Sequence, residues 1–293
     1  MNDGYDSHLR HLAAGEQAGS RFVLMAPRRS PLGVAGANIS NRPGASLEFR
    51  DHREYQPGDD LRRIDWSAFA RTDRLTVKLY QEEVSPHLDL LIDGSRSMAL
   101  EGSAKLEATL GLAAVFAVSA SKAGFSHCAW QAGEGCRRIE GGTRPPLEWA
   151  MLDFSYSGSL SDSLARTRPQ WRNRSIRVLL SDLLWPGDPL LTLHNLCRDA
   201  SAIVVVQILA AADIEAPEHG NVRLVDSESG DLREVFVDAS TARRYTDALE
   251  RHRQNWSRAC RQAGAVIASI VAERVVQDWK LEELLAAGIL GAV

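Results

Sequence analysis

The stretch that most constrains this chain is a short apolar run, Leu88-Asp89-Leu90-Leu91-Ile92, that stops at Asp93-Gly94-Ser95-Arg96-Ser97. The run has the make-up of a buried strand, and Lys105 to Lys122 behind it reads as a helix. A carboxylate and two hydroxyls, spaced two residues apart, therefore fall in a loop between strand and helix. In open α/β sheets ligands bind at that edge, outside the carboxyl ends of the strands. Asp93, Ser95 and Ser97 are hard oxygen donors of the kind that suits Mg2+, with Mn2+ or Ca2+ as substitutes. The competing explanation is local: Asp93 capping the next helix, and the two serines filling turn positions.

The rest of the chain supplies the sheet that such a loop needs. From residue 87 on, strand candidates at 88–92, 125–131, 175–181, 202–209 and 265–271 alternate with helix candidates at 104–123, 145–152, 189–199 and 240–263. That alternation predicts an α/β fold, an open and mostly parallel sheet with helices on both faces. Arg177-Val178-Leu179-Leu180 and Ile203-Val204-Val205-Val206 are near-continuously apolar, as parallel strands covered on both faces should be. Ser181-Asp182 ends the first of these, so a second carboxylate reaches the same sheet edge as Asp93. Asp89, inside its strand, reads as a structural partner. Val222–Val225 and Val235–Val237 read as a hairpin joined across residues 226–231, and Trp279, Leu281, Leu284, Leu285 and Leu290 as one short helix with an apolar stripe.

Composition narrows the function classes. The chain has 293 residues, 44% of them hydrophobic and 25% charged, with a formal net charge of -4. Mild acidity argues against nonspecific nucleic-acid binding, which needs a basic footprint. Cys128, Cys136, Cys197 and Cys260 form no C-x-x-C pair and read as small buried hydrophobes in a reducing compartment. The most apolar stretch, Leu110 to Ala120, is too short to span a bilayer, and the N-terminus shows no signal-peptide core. A cytoplasmic protein is expected. The chain contains no P-loop, no G-x-G-x-x-G and no G-x-S-x-G. With a Lewis-acid site but no evident base or nucleophile, no enzymatic activity is expected. The rival reading is a metal-dependent hydrolase of phosphate esters, and a third is a structural scaffold with a non-functional metal site.

Ahead of the sheet, residues 1–46 read as a helix followed by a Pro- and Gly-rich loop at 27–46, residues 47–86 as a charged β-rich element, and 87–293 as the α/β domain. In the middle segment Arg62, Arg63, Asp65, Arg71 and Asp73 are candidates for a charge network, Trp66 is the expected buried anchor, and Leu75 to Tyr80 alternates like a strand. Arg62, Arg63 and Arg71 are also the candidate partner-binding residues.

One order of motifs then becomes specific: R-E-Y-x-P-G-D-D-x-R-x-I-D-W over 53–66, then A-R-T, L-x-V-K and D-x-S-x-S. It resembles the domain-of-unknown-function-58 family, whose members are similar to von Willebrand A-like domains with an extra N-terminal β-rich element. The D-x-S-x-S signature is that of a metal-ion-dependent adhesion site. The resemblance implies Asp93, Ser95 and Ser97 as metal ligands and Asp182 as a ligand acting through water. It also implies a threonine ahead of a later helix, and here that region is Ser155-Tyr156-Ser157-Gly158-Ser159-Leu160-Ser161. Ser159, which follows Gly158, is the candidate replacement, with Ser157 and Ser161 as rivals. The resemblance further implies protein binding in company with a MoxR-type AAA+ ATPase, with a client or partner Asp or Glu completing the metal shell.

Overall fold

The structure, a computed structural model, describes residues 2–25, 47–57, 59, 61–82 and 86–293, with the side chains of 2–3, 47–52, 63 and 78–82 left aside. The Pro- and Gly-rich loop read at 27–46 lies outside the described residues. In chain order the elements are α1 (Asn2–Gly19), β1 (Phe22–Leu24), β2 (Leu47–Glu54), α2 (Trp66–Thr72), β3 (Thr76–Glu82), β4 (His87–Asp93), α3 (Lys105–Lys122), β5 (Ser126–Ala132) and β6 (Cys136–Arg138). They continue as α4 (Leu160–Arg166), β7 (Ile176–Ser181), α5 (Pro189–Cys197), β8 (Ala202–Leu209), α6 (Ala211–Ile214), β9 (Gly220–Val225), β10 (Leu232–Val237), α7 (Ala239–Ala263), β11 (Val266–Val271), α8 (Ala272–Asp278), α9 (Glu282–Ala286) and β12 (Leu290–Ala292). The chain divides into two compact units, one of Met1–Gly36 with Pro86–Val293 and one of Ala37–Ser85.

The larger unit is built on a six-stranded sheet in the order β11-β8-β7-β4-β5-β6. All neighbours in it run parallel except the edge strand β6, which is antiparallel to β5. Side chains along a strand alternate between faces, and the core divides accordingly. Leu88, Leu90 and Ile92 of β4, with Val178 and Leu180 of β7 and Val204 and Val206 of β8, enter one apolar cluster. Leu91, Leu179, Ile203 and Val205 enter the other. Helices α1, α3, α8 and α9 cover the first face, and α4, α5 and α7 the second. Strands covered on both faces favour apolar residues on both sides, which explains the long apolar runs, broken at Asp89 and Arg177 by buried charged residues with hydrogen-bond partners.

Helix α3 is buried over nearly its whole circumference, because it lies between the sheet and α1. Its apolar composition is thus that of a core helix. Among the described residues no helix is long and apolar enough to cross a membrane. The approach of α1 to α3 is close: a Cβ on Gly15 would lie 2.1 Å from the carbonyl oxygen of Gly111, and one on Gly111 would lie 1.8 Å from the Trp279 ring. Beside this contact β1 pairs antiparallel with β12, Phe22 opposite Ala292, so the segment after α1 is tied to the last strand.

Three sequence expectations change. The stretch 145–152 holds only a 3-10 turn at Pro146–Glu148, since Pro145 and Pro146 remove two amide donors and the buried Trp149 turns its indole N–H back to the carbonyl of Arg144 at 2.9 Å. The C-terminal stripe is split: Trp279 adopts a left-handed backbone (φ 53°) that ends α8, α9 follows, and Leu290 belongs to β12. In the smaller unit, β2 and β3 form an antiparallel pair, and Trp66 is 62% exposed rather than buried. The reason is local. Asp65 caps α2, its carboxylate accepting from the amides of Ser67 and Ala68 at 3.0 Å, so Trp66 opens the first turn and meets Phe69 edge-on at 6.2 Å. Ile64, bridged to Val77, is the buried anchor in its place.

Because Gly111 touches Trp279 on one side and Gly15 on the other, Gly111→Ala should destabilise the fold by about 1–3 kcal/mol through overpacking. Urea unfolding measures this, and an unchanged midpoint would show that the two helices can separate without loss.

Candidate functional site

The chain first lays down β4 and then adds strands on both sides of it, β5 on one flank and β7 on the other. The crevice between β4 and β7, at their carboxyl ends, is therefore the topological switch point where such sheets bind ligands. The β4–β7 register pairs Leu88 with Ile176 and Ile92 with Leu180. Carried one residue further, it sets Asp93 against Ser181.

Asp93 is 1% exposed. One carboxylate oxygen accepts the Ser181 hydroxyl at 2.6 Å and the other accepts the Ser95 amide at 3.0 Å. The Ser95 and Ser97 hydroxyls lie 3.1 Å apart. Gly94 is required by crowding, since a Cβ there would meet the Ala132 carbonyl at 2.4 Å and the Asp153 carbonyl at 2.9 Å. The loop is pinned from outside by Tyr156, whose amide donates to Gly94 and whose carbonyl accepts from Arg96. Thus Asp93 is buried at the base, Ser95 lies above it, and Ser97 is half-buried at the rim.

Asp182 follows Ser181 and is also 1% exposed. It accepts the Lys105 ammonium at 2.7 Å and the Leu184 amide at 3.0 Å. Lys105, itself 1% exposed, reaches Asp213 at 3.1 Å as well. Burial works against the ammonium, but Asp182 and Asp213 outweigh it and hold Lys105 above the ordinary lysine value. Asp93 has no such cation. Burial, and then the charge on Asp182, push it up to about 6 against the opposing hydrogen bonds from Ser181 and Ser95.

A further carboxylate comes from the turn between β9 and β10. Glu228 accepts the Ser97 amide at 3.1 Å through Oε1, while its backbone carbonyl accepts from Arg96 at 3.3 Å. Its Oε2 is buried and has no hydrogen-bond partner. Burial raises the Glu228 pKa, Ser97 opposes the shift, and the charge on Asp182 adds to it.

The predicted residues meet different fates. Asp93, Ser95 and Ser97 lie on one loop beside Asp182. Ser159 is the N-cap of α4, its hydroxyl accepting the Asp162 amide at 3.1 Å and donating to the Asp162 carboxylate at 2.8 Å. Ser161 bonds Thr192. Arg62 and Arg71 are exposed in the other unit, Arg71 donating to the Ser67 carbonyl, and the Arg63 side chain is not among those described. Asp89 accepts the Trp130 indole at 2.9 Å and the Arg172 amide at 3.0 Å, two β4 turns of the pleat away from Asp93. Sequence reading passed over Ser181, Lys105, Asp213 and Glu228. Strand register could have found Ser181, and a lone lysine opening an apolar helix could have marked Lys105.

This donor set fits a hard divalent cation. Around Asp182 gather Asp93, Asp213 and Glu228 with one buried ammonium, two serine hydroxyls stand beside Asp93, and a buried carboxylate oxygen of Glu228 is left without a partner. Asp93, Ser95 and Ser97 would hold the ion. Among the described residues no group of three or more His, Cys, Asp or Glu is placed to hold a metal by itself, so the hydroxyls would be indispensable.

The sheet, with helices on both faces and this loop at its switch point, defines an open, mostly parallel α/β protein. The chain belongs to the family described as "Protein of unknown function DUF58", whose model matches residues 51–255. Its relatives include the uncharacterized proteins Rv1480 of Mycobacterium tuberculosis and Mb1516 of Mycobacterium bovis, each 27% identical over 256 residues, 83% of this chain and 80% of theirs. Among solved structures it is similar to an aerotolerance-related membrane protein from Bacteroides fragilis (11% identity, 69% of this chain and 99% of that one, TM-score 0.38). It is also similar to a von Willebrand factor type A protein from Catenulispora acidiphila (12% identity, 70% and 43%, TM-score 0.35).

Removing Lys105 would leave Asp182 buried and uncompensated. Lys105→Met should cost roughly 3–5 kcal/mol, and adding Asp182→Asn should recover part of it. Chemical denaturation of the two single variants and the double variant checks this, and simple additivity would mean that the ion pair is not coupled.

Proposed function

We propose that this protein is a divalent-cation-dependent protein-binding module that works as an adaptor or assembly factor with a MoxR-type AAA+ ATPase. The observation that carries the reading is the Asp93-Ser95-Ser97 loop at the switch point of the sheet, with a buried carboxylate at its base and a half-buried hydroxyl at its rim. A hard cation held from below by few protein ligands keeps coordination positions for an outside oxygen, and an Asp or Glu side chain of a partner meets that need. Asp93, Ser95 and Ser97 bind; Asp182, engaged by Lys105, acts through its charge or through water. Mg2+ is the expected ion, with Mn2+ or Ca2+ able to replace it. The AAA+ partner is taken from the family resemblance, and Arg62, Arg63 and Arg71 are the proposed second contact. In this reading the protein works in the cytoplasm and performs no catalysis.

The ion should stabilise the fold. At a free concentration about ten times the dissociation constant, linkage adds about 1.4 kcal/mol. Mg2+ should therefore raise the thermal midpoint of the wild type and much less that of Asp93→Ala. An equal rise in both would place the ion elsewhere.

Binding of the purified cognate ATPase should weaken with a chelator and in Asp93→Ala, while circular dichroism shows the variant folded. Unchanged binding would move the interface away from the metal. Turnover of phosphate esters in Mg2+, abolished by Asp93→Ala, would replace this reading by the hydrolase.

A further inference from the structure

Asp93 and Asp182 sit at the carboxyl ends of β4 and β7, and Asp213 on α6 directly after β8, whereas Glu228 arrives from a separate hairpin. Residues 226–231 form the turn between β9 and β10, a hairpin that makes a two-stranded sheet of its own among the described residues. Asp226 shapes the turn by accepting the amides of Glu228 and Ser229 at 2.9 and 2.8 Å. The turn then lies on the D-x-S-x-S loop with two directional contacts: Glu228 Oε1 accepts the Ser97 amide, and Arg96 donates to the Glu228 carbonyl. A glutamate on a hairpin tip would ordinarily turn to water. This one instead has its second oxygen buried without a partner, next to Ser97 and under the influence of Asp182. An unsatisfied carboxylate oxygen costs free energy unless something pairs with it. Arg96 does not serve, because its guanidinium donates to the carbonyls of Ser155 and Glu228.

We propose that Glu228 is a built-in acidic ligand of the Asp93-Ser95-Ser97 cation site, occupying the place that a partner's Asp or Glu would take. The inference rests on the cation-site reading given above and adds its regulation. With Glu228 in place the ion is screened from other carboxylates, and a partner gains access only when the β9–β10 turn lifts. The hairpin is suited to that movement. It is joined to the unit through its β10 side against α7, and Leu224, Val225, Leu232 and Phe236 are exposed along it, so few buried contacts oppose displacement.

The test uses the full chain, Mn2+ as the ion and acetate as the minimal carboxylate. Wild type, Glu228→Gln, Glu228→Ala and Asp93→Ala are titrated with Mn2+ by electron paramagnetic resonance, and water-proton relaxation is read at saturation. The expected result is that the two Glu228 variants bind Mn2+ roughly 10–100-fold more weakly, show greater relaxation per bound ion because water enters the vacated position, and lose that excess when acetate is added. In hydrogen exchange, the metal should slow residues 226–231 in the wild type and leave them unchanged in Glu228→Gln. If Mn2+ binds the wild type and both Glu228 variants equally, with no change in relaxation or turn exchange, the proposal fails and the cation site stands. If the wild type binds no Mn2+, or Asp93→Ala binds it as tightly, the cation-site reading fails and takes the proposal with it.

Discussion

The ammonium of Lys105, buried to 1% exposure between Asp182 and Asp213, is the interaction on which the ligand edge of the sheet depends. Strand β7 delivers Asp182 to the end of the sheet, where a buried carboxylate without a partner would be costly. A cation fixed on the first turn of α3 removes that penalty without using solvent. It also ties α3 to β7 and to the segment after β8, so the loop between β4 and α3 is held at both ends. Asp93 is treated differently. It receives the Ser181 hydroxyl and the Ser95 amide, dipoles that orient the carboxylate without neutralising it. One carboxylate is thus paired with a buried ammonium, and its neighbour with hydrogen-bonding dipoles.

A site of this kind needs a rigid floor, and the packing beneath it supplies one. Met98, 0% exposed, follows Ser97 directly, and its sulfur accepts the Asp182 amide at 3.1 Å. The loop that carries the serines is therefore pinned one residue beyond them by a core side chain. Gln131 grips Asp153 through both backbone groups, at 2.6 and 3.2 Å, and so positions the segment that braces Gly94 and Arg96. On the far side, the contact of Gly15, Gly111 and Trp279 lets α1 lie close on α3. None of these residues offers an oxygen to the site, but each limits how far the loop can move.

The parts legible in the sequence are those governed by short-range periodicity. The five strands of the parallel core, the long helices α3 and α7 and the β9–β10 hairpin follow from runs whose period is set by burial on one or two faces. The D-x-S-x-S loop could be located because it ends such a run. The illegible parts depend on register or on distant pairing. Ser181 becomes a partner of Asp93 only through the β4–β7 offset, Lys105 looks like a solvated flank until α3 is known to be buried, and β1 and β12 are too short to signal their pairing. Trp66 illustrates the opposite error. Its size argued for burial, but its position after the cap residue Asp65 sends it outward, and the smaller Ile64 is the residue that packs.

The reading of Ser159 follows from the same competition between local and distant bonds. A serine just before a helix has two uses for its hydroxyl: the first free amides of the helix, or a ligand across the crevice. Here Ser159 and Asp162 satisfy one another, a reciprocal cap available inside four residues of chain. An ion would have to break the Ser159–Asp162 hydroxyl bond to recruit this side chain. Ser95 and Ser97 present a smaller obstacle, since their hydroxyls bond chiefly each other at 3.1 Å and both can turn their lone pairs to a cation without uncapping a helix. The physical cost of recruitment therefore orders the hydroxyls, with Ser95 and Ser97 ahead of Ser159.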